Sequence, residues 1–299
     1  MSMSLRRRAP TALRSFLFAP GNHPRRVEKV FGAGADAVVL DLEDAVPAAA
    51  KEATRAAVVE ALRRPRGCRG YVRINAFDSR WCIADLEAVV GPWLDGVVLP
   101  KAENPDHIKV LSQRMNRLED EHGVVPGTLD LMVIVETARG VSRCDEIAAA
   151  NVRLGRLALG GADYTLDLDL EWSAGEEELA YARARLSHAS RLAGIDPPVD
   201  TVVPAVKDSE RFRLSARNGR KMGFFGKLCI HPDQVAPCNE AFTPSPEEVE
   251  RARAVVAAFA QAEASGSASI QLDGQFIDYP ILYKAQRVLL LAERLATAG

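Results

Sequence analysis

The chain has 299 residues, 47% of them hydrophobic and 26% charged, with a net charge of −2, a length normal for an α/β barrel with an extension. The near-neutral balance argues against a general nucleic-acid binder or a polybasic membrane protein. No apolar stretch approaches the ~18 residues of a membrane span, and the basic run Arg6, Arg7, Arg8 and Arg14 is followed by no signal-peptide apolar region. Cys68, Cys82, Cys144, Cys229 and Cys238 form no Cys-x-x-Cys pair. Neither a disulfide framework nor a structural zinc site is therefore expected, and a reducing cytoplasmic location fits best.

Along the chain, short apolar runs alternate with stretches of helical periodicity. Strands are predicted at Ser15–Pro20, Ala37–Leu42, Gly70–Asn75, Gly96–Pro100, Leu131–Glu136, Arg156–Gly160, Thr201–Val206 and Gly223–Ile230. Runs such as VVLDL, VVLP, MVIVE and LALGG are almost unbroken hydrophobics, as parallel strands covered on both faces require. Between them the periodicity predicts helices over Lys51–Arg63, Pro105–Glu121, Glu176–Ala193 and Ser209–Lys221. Asn104 and Asp208 mark starts, and Gly123, Gly194 and Gly223 mark ends.

Eight such units, with no G-x-G-x-x-G after the first strand, predict a TIM (β/α)8 barrel over residues 1–242, with a basic N-terminal arm, closing near Cys238. Residues 243–299 are expected to form a short C-terminal helical appendage or lid. In it, a helix starts at Thr243-Pro244-Ser245-Pro246 and a small polar linker spans Ala264–Ser269. A compact segment, Gln271–Pro280, and a final helix, Ile281–Ala296, follow.

Barrel chemistry sits at the C-terminal ends of the strands, and six of the eight predicted strands deliver an ionisable group there. Strand two ends in Asp41-Leu42-Glu43-Asp44, strand three carries Arg73, strand four ends in Lys101, strand five in Glu136, strand six runs into Asp163, and strand eight ends at His231. Glu136 and Asp163 can converge as two carboxylates, the hard oxygen donors that Mg²⁺ prefers beside retained waters. Gly160 and Gly161 allow backbone amides to approach an anionic ligand. The plainer alternative is a structural ion pair of Glu136 with Lys101 or Arg139. Arg73 is the natural carboxylate clamp or oxyanion partner. Glu43 and Asp44 either support the site from behind or cap the following helix.

These residues lie in a series of stretches that resembles the citrate lyase β-subunit-like group of the HpcH/HpaI aldolase superfamily, which includes malyl-CoA and citramalyl-CoA lyases. The stretches are RSFLFAPGNHPRRVEK (14–29), VVLDLEDAV (38–46), YVRINAF (71–77), VVLPKAE (97–103), VIVETARG (133–140), LALGGAD (157–163), GFFGKLCIHPDQV (223–235), NEAFTPS (239–245) and GQFIDYP (274–280). The resemblance implies Glu136 and Asp163 as Mg²⁺ ligands and Arg73 as the substrate arginine. Arg25 and Lys29 match contacts to the CoA phosphates, and Gly161 and Ala162 match the loop that holds the keto-acid carboxylate. Asp278 is similar to a catalytic carboxylate that the appendage places over a neighbouring subunit's barrel, in homotrimers or multiples of trimers. Two departures stand out: GGAD where GPAD is common, and Phe276 where Met is frequent. On the residues alone, Asp278 also reads as a turn residue before Pro280, and Arg25 and Lys29 as a solvated helix face.

The expected reaction is retro-Claisen cleavage of a 3-hydroxy acyl-CoA of the malyl-CoA or citramalyl-CoA type to acetyl-CoA and a 2-keto acid. Mg²⁺ acts as the Lewis acid, Arg73 faces the enolate oxygen, Asp278 moves the proton, and Lys101 stands in support. The alternatives are a citrate lyase β subunit working on an acyl-carrier thioester, and an acyl-CoA thioesterase or pyruvate aldolase on the same barrel. Six polar strand ends argue against a non-catalytic metabolite binder.

Overall fold

The structure is a computed structural model that describes residues 12–297; Arg6, Arg7 and Arg8 of the basic arm lie outside the described residues. Contacts divide the chain into one compact unit up to Glu240 and a second from Ala241 onward. The first half of the larger unit contains β1 (Ser15–Pro20), α1 (Pro24–Val30), β2 (Ala37–Asp41), α2 (Lys51–Leu62), β3 (Arg69–Arg73), α3 (Cys82–Val89), β4 (Gly96–Leu99) and α4 (Pro105–Glu121). Then come β5 (Asp130–Val135), α5 (Ala138–Ser142), α6 (Cys144–Ala148), β6 (Leu154–Leu159), α7 (Gly161–Asp167), α8 (Ala180–Ala193), α9 (Ser209–Lys221), β7 (Lys227–Cys229) and α10 (Val235–Phe242), the last crossing the division.

The seven strands form one parallel sheet in the order β6-β5-β4-β3-β2-β1-β7. Its register aligns Pro20 with Asp41, Asp41 with Arg73, and Arg73 with Val98. Strand ends from β1 to β4 thus reach one level, which is what brings their terminal side chains together. β2 and β4 are buried along their whole length, consistent with a sheet covered on both faces. Phe16, Val39, Tyr71, Val98, Met132, Ile134, Ala158 and Leu228 belong to one apolar cluster.

Two predicted strands differ. Thr201–Val206 forms no strand; only Val199, bridged to Ala158, and Asp200, bridged to Lys227, pair in parallel there. Pro197 and Pro198 precede this stretch and Pro204 lies within it, and none of them has an N–H to give to a ladder. The last strand, predicted from Gly223, shortens to Lys227–Cys229 because Gly223 and Gly226 adopt φ of 89° and 102°, outside any strand conformation. Arg14 is no solvated arm residue: its backbone and guanidinium bond the Asp36 carboxylate at 2.7–2.8 Å.

The smaller unit contains α11 (Pro246–Ala264), β8 (Ile270–Leu272), β9 (Gln275–Ile277) and α12 (Tyr279–Thr297). Ser245 and Glu248 close a reciprocal capping box at the start of α11. β8 and β9 pair antiparallel across Asp273-Gly274, both with positive φ, as a tight hairpin turn requires. Phe259, Val255, Ile277, Leu282 and Ala285 make the unit's own core. Among the described residues no helix is long and apolar enough to cross a membrane.

Candidate active site

The strand ends of the larger unit surround a cavity of about 390 Å³, whose lining includes Phe18, Arg26, Asp41, Asp44, Arg73, Glu136, Gly161, Ala162, Asp163 and Thr201. Of the residues singled out in the sequence, Asp44, Arg73, Glu136, Gly161, Ala162 and Asp163 therefore share one wall-to-wall space. Glu43 and Lys101 stand behind it. Arg25 and Lys29 lie exposed on α1, and it is Arg26 between them that lines the cavity.

Glu136 follows β5 directly and is 3% exposed. Its Oε1 accepts the backbone N–H of Lys101 at 2.7 Å, so neither the Lys101 ammonium nor Arg139 is its partner; Arg139 lies nearer Glu103, at 3.8 Å. Burial, and then the charge of Asp163, push the Glu136 carboxyl up to about 8, against the pull of the Lys101 amide and of Arg73. A Cβ on Gly160 would meet Glu136 Oε2 at 2.2 Å, so glycine is what leaves that oxygen its room. Asp163 sits in the first turn of α7, which begins beside it at Gly161. The Gly161 N–H is already given to Thr201 Oγ1 at 2.7 Å, whereas Ala162 keeps one of the orphan amides of a helix's first turn.

Arg73 is held from one side by Asp41, with Nε to Oδ1 at 2.7 Å and Nη2 to Oδ2 at 2.6 Å. Its Nη1 lies 3.0 Å from Glu43 Oε2. Burial opposes the guanidinium charge, but Asp41 and Glu43 outweigh it and raise the Arg73 pKa. Two of its five N–H donors are given to Asp41, and Nη1 pairs with Glu43 by charge without a hydrogen bond. Asp41 also accepts the amides of Glu43 and Ala45 at 2.9 and 3.2 Å, so its orientation is fixed from four directions. Glu43 is bound on its other oxygen by the Lys101 ammonium at 2.7 Å. Burial still raises its pKa, with Arg73 and Lys101 acting against that. For Lys101, Glu43 and Asp44 outweigh burial and raise the pKa.

Among the described residues no group of three or more His, Cys, Asp or Glu side chains forms a metal cage. The donor set suits a cation that keeps most of its waters. Around the cavity Asp41, Glu43, Asp44, Glu136 and Asp163 face Arg26, Arg73 and Lys101, an excess of two carboxylates that one divalent cation would balance. With the room left at Glu136 Oε2, these residues fit Mg²⁺.

Asp278 belongs to the smaller unit. Its backbone carbonyl accepts the amides of Ile281 and Leu282, and its Oδ1 lies 3.4 Å from the Ile281 amide, so it caps α12. Sequence reasoning gave Asp41 no role and placed Thr201 in a strand. The strand register opposite Arg73 was the signal for Asp41, and Pro204 the warning for Thr201.

A parallel sheet curled into a half-barrel, with acids and a half-buried arginine at its C-terminal rim, defines an α/β protein with its site at the strand ends. The chain belongs to the HpcH/HpaI aldolase/citrate lyase family, which matches residues 14–232. It is 37% identical to the citrate lyase subunit beta of Escherichia coli K12, over 98% of this chain and 97% of that relative. It is 32% identical to the L-malyl-CoA/beta-methylmalyl-CoA lyase of Cereibacter sphaeroides, over 94% of each. Among solved structures it resembles the CitE protein of Mycobacterium tuberculosis in complex with magnesium, acetoacetate and coenzyme A. That match has a TM-score of 0.78 at 31% identity and covers 94% of this chain and 98% of the other.

Proposed function

We propose that this protein is a Mg²⁺-dependent carbon–carbon lyase that cleaves a 3-hydroxy acyl-CoA, of the malyl-CoA or citramalyl-CoA type, to acetyl-CoA and glyoxylate or pyruvate. The observation that carries the reading is the convergence of Glu136, Asp163 and Arg73 on one cavity. The magnesium, acetoacetate and coenzyme A of the M. tuberculosis complex support it. The bridges of Val199 and Asp200 between β6 and β7 support a closed (β/α)8 barrel.

Glu136 and Asp163 would hold the metal, which supplies Lewis-acid stabilisation to the substrate's hydroxyl oxygen as it becomes a carbonyl. The N–H groups of Arg73 not given to Asp41 face the thioester oxygen, where charge collects when the bond between the acyl α-carbon and the hydroxyl-bearing carbon breaks. Asp41 and Glu43 hold the guanidinium in place beforehand, so little reorganisation is needed during the reaction. The Ala162 amide, and Gly161 through its bond to Thr201, shape the wall for the keto-acid carboxylate. Arg25 and Lys29 take the CoA phosphates, and Asp278 from a neighbouring chain of a homotrimer accepts the proton that leaves the hydroxyl, directly or through water, and returns one to the enolate carbon. Lys101 serves through Glu43 and Glu136 and forms no Schiff base. A cytoplasmic enzyme acting on soluble acyl-CoA fits all of this.

The likeness to the E. coli citrate lyase subunit favours one second reading, in which the thioester is carried on an acyl-carrier protein. Incubation with malyl-, citramalyl- and citryl-CoA, with product analysis and thiol titration, tests both. Acetyl-CoA plus a keto acid is the expected outcome. Free thiol with intact hydroxy acid would make it a thioesterase, and inertness toward every CoA thioester would favour the carrier reading.

A further inference from the structure

Beneath the rim, the Lys51 amino group is 2.9 Å from the Leu42 carbonyl, 2.7 Å from the Glu43 carbonyl and 2.6 Å from Asn75 Oδ1. The residue is 7% exposed. Three acceptors surround a group with three donors, and all three are neutral. Lys51 is also the first residue of α2, where the helix dipole disfavours a cation. Neither a nearby carboxylate nor the helix explains a buried lysine here. What its bonds do is hold backbone. The two carbonyls it grips are those of Leu42, which lies between the two carboxylates that fix Arg73, and of Glu43, the second of them. Its third partner, Asn75, lies two residues beyond Arg73 and ties back to Leu42 O at 2.9 Å and to Asp85 Oδ2 at 2.6 Å. Asp85, fully buried, is bound in turn by Arg55 at 2.7 Å.

We infer that Lys51 is a positioning residue for the Arg73 clamp, acting through the Leu42–Glu43 backbone on Asp41 and Glu43. It touches neither the cavity nor the substrate. The inference rests on the reading of Arg73 as the group that faces the enolate. Without Lys51 each carbonyl loses one of its two donors, Leu42 keeping Asn75 at 2.9 Å and Glu43 keeping the Val46 amide at 3.0 Å, and the segment is no longer tied to the start of α2. Asp41 and Glu43 shift with it, and the remaining N–H groups of Arg73 lose their aim. Glu136 after β5 and Asp163 in α7 keep theirs.

The test compares Lys51→Gln with the wild-type protein, alone and in an Arg73→Lys background. The expected result is a kcat lower by about tenfold, as for other supporting partners, with KM and the Mg²⁺ half-saturation changed by less than about twofold. In the Arg73→Lys background the same change should cost under about twofold, the non-additivity of residues that act through one another. The Arg73 Nε–H signal in ¹⁵N spectra of the resting protein gives a readout independent of turnover: in Lys51→Gln it should move or broaden. An unchanged signal, or a full additive loss in the double variant, overturns the inference and leaves Lys51 a structural residue. If the wild-type protein cleaves no thioester, the proposed function fails while the Arg73 signal still decides on Lys51. Should Lys51→Gln not fold, Asn75→Ala removes one of the three acceptors and is judged by the same signal.

Discussion

The backbone N–H of Lys101 donates to Glu136 Oε1 at 2.7 Å, while the ammonium of the same residue lies 2.7 Å from Glu43. One residue therefore links Glu136 to the carboxylate that pairs with Arg73. It does so from a left-handed backbone with φ of 51°, a conformation that costs a residue with a Cβ roughly 1–2 kcal/mol.

This linkage separates backbone from side chain. Lys101→Ala and Lys101→Gly both keep the amide bond to Glu136 and both lose the grip on Glu43. The glycine variant should be the more stable of the two by about 1 kcal/mol, because only it adopts that φ without strain. Urea midpoints measure the difference. A more stable alanine variant would show that the left-handed turn carries no strain.

Glu136 makes stability depend on pH. Its folded pKa of about 8 lies above the ordinary 4.5. Between those values the native state holds a proton that the unfolded chain has released. In metal-free protein, stability should therefore fall as pH rises across that window, by at most ~1.4 kcal/mol per unit. Adding Mg²⁺ should oppose the fall, since the ion takes the deprotonated carboxylate. Thermal melts of wild-type and Glu136→Gln protein from pH 5 to 8 check this; the variant should show a flatter profile. Equal slopes would place the titration elsewhere.

Arg73→Lys should lower kcat/KM by at least ~100-fold with the fold retained, as losing a fixed oxyanion donor does. A single ammonium cannot reach both Asp41 oxygens and Glu43 and still present donors to a ligand. Steady-state kinetics decide it, and a near-wild-type variant would remove Arg73 from the chemistry.

Much of this site was legible in the residues, and the misses have physical causes. Continuous apolar runs announced β2, β4 and β5, and the charged residues that follow them pointed at one rim. Asp41 was passed over because its meaning lies in the register that sets it opposite Arg73, and register is a long-range property. Lys51 and Asn75 escaped because a lysine in an alternating helical pattern looks solvated until the loop it anchors is seen. The Thr201–Val206 strand was drawn from a short apolar run in the alternating pattern, and Pro204 within it and Pro197 and Pro198 before it outweighed that signal.

Asp278→Asn should abolish cleavage while Mg²⁺ binding survives. Asparagine caps a helix as well as aspartate does, so α12 stays intact and any lost activity belongs to the carboxylate. Mixing this variant with Glu136→Ala protein under verified subunit exchange should restore part of the activity, since some sites then receive an intact Asp278. Exchange without recovery would show that Asp278 serves its own chain or no reaction.

The account turns on one divalent ion held by Glu136 and Asp163. Calorimetric titration of metal-stripped protein with Mg²⁺, with cleavage of malyl-CoA and citramalyl-CoA followed on the same samples, tests this directly. The account predicts one ion per chain, with activity rising along the binding curve and both lost in Glu136→Gln. Full activity in a chelator, or unaltered binding in Glu136→Gln, would contradict it.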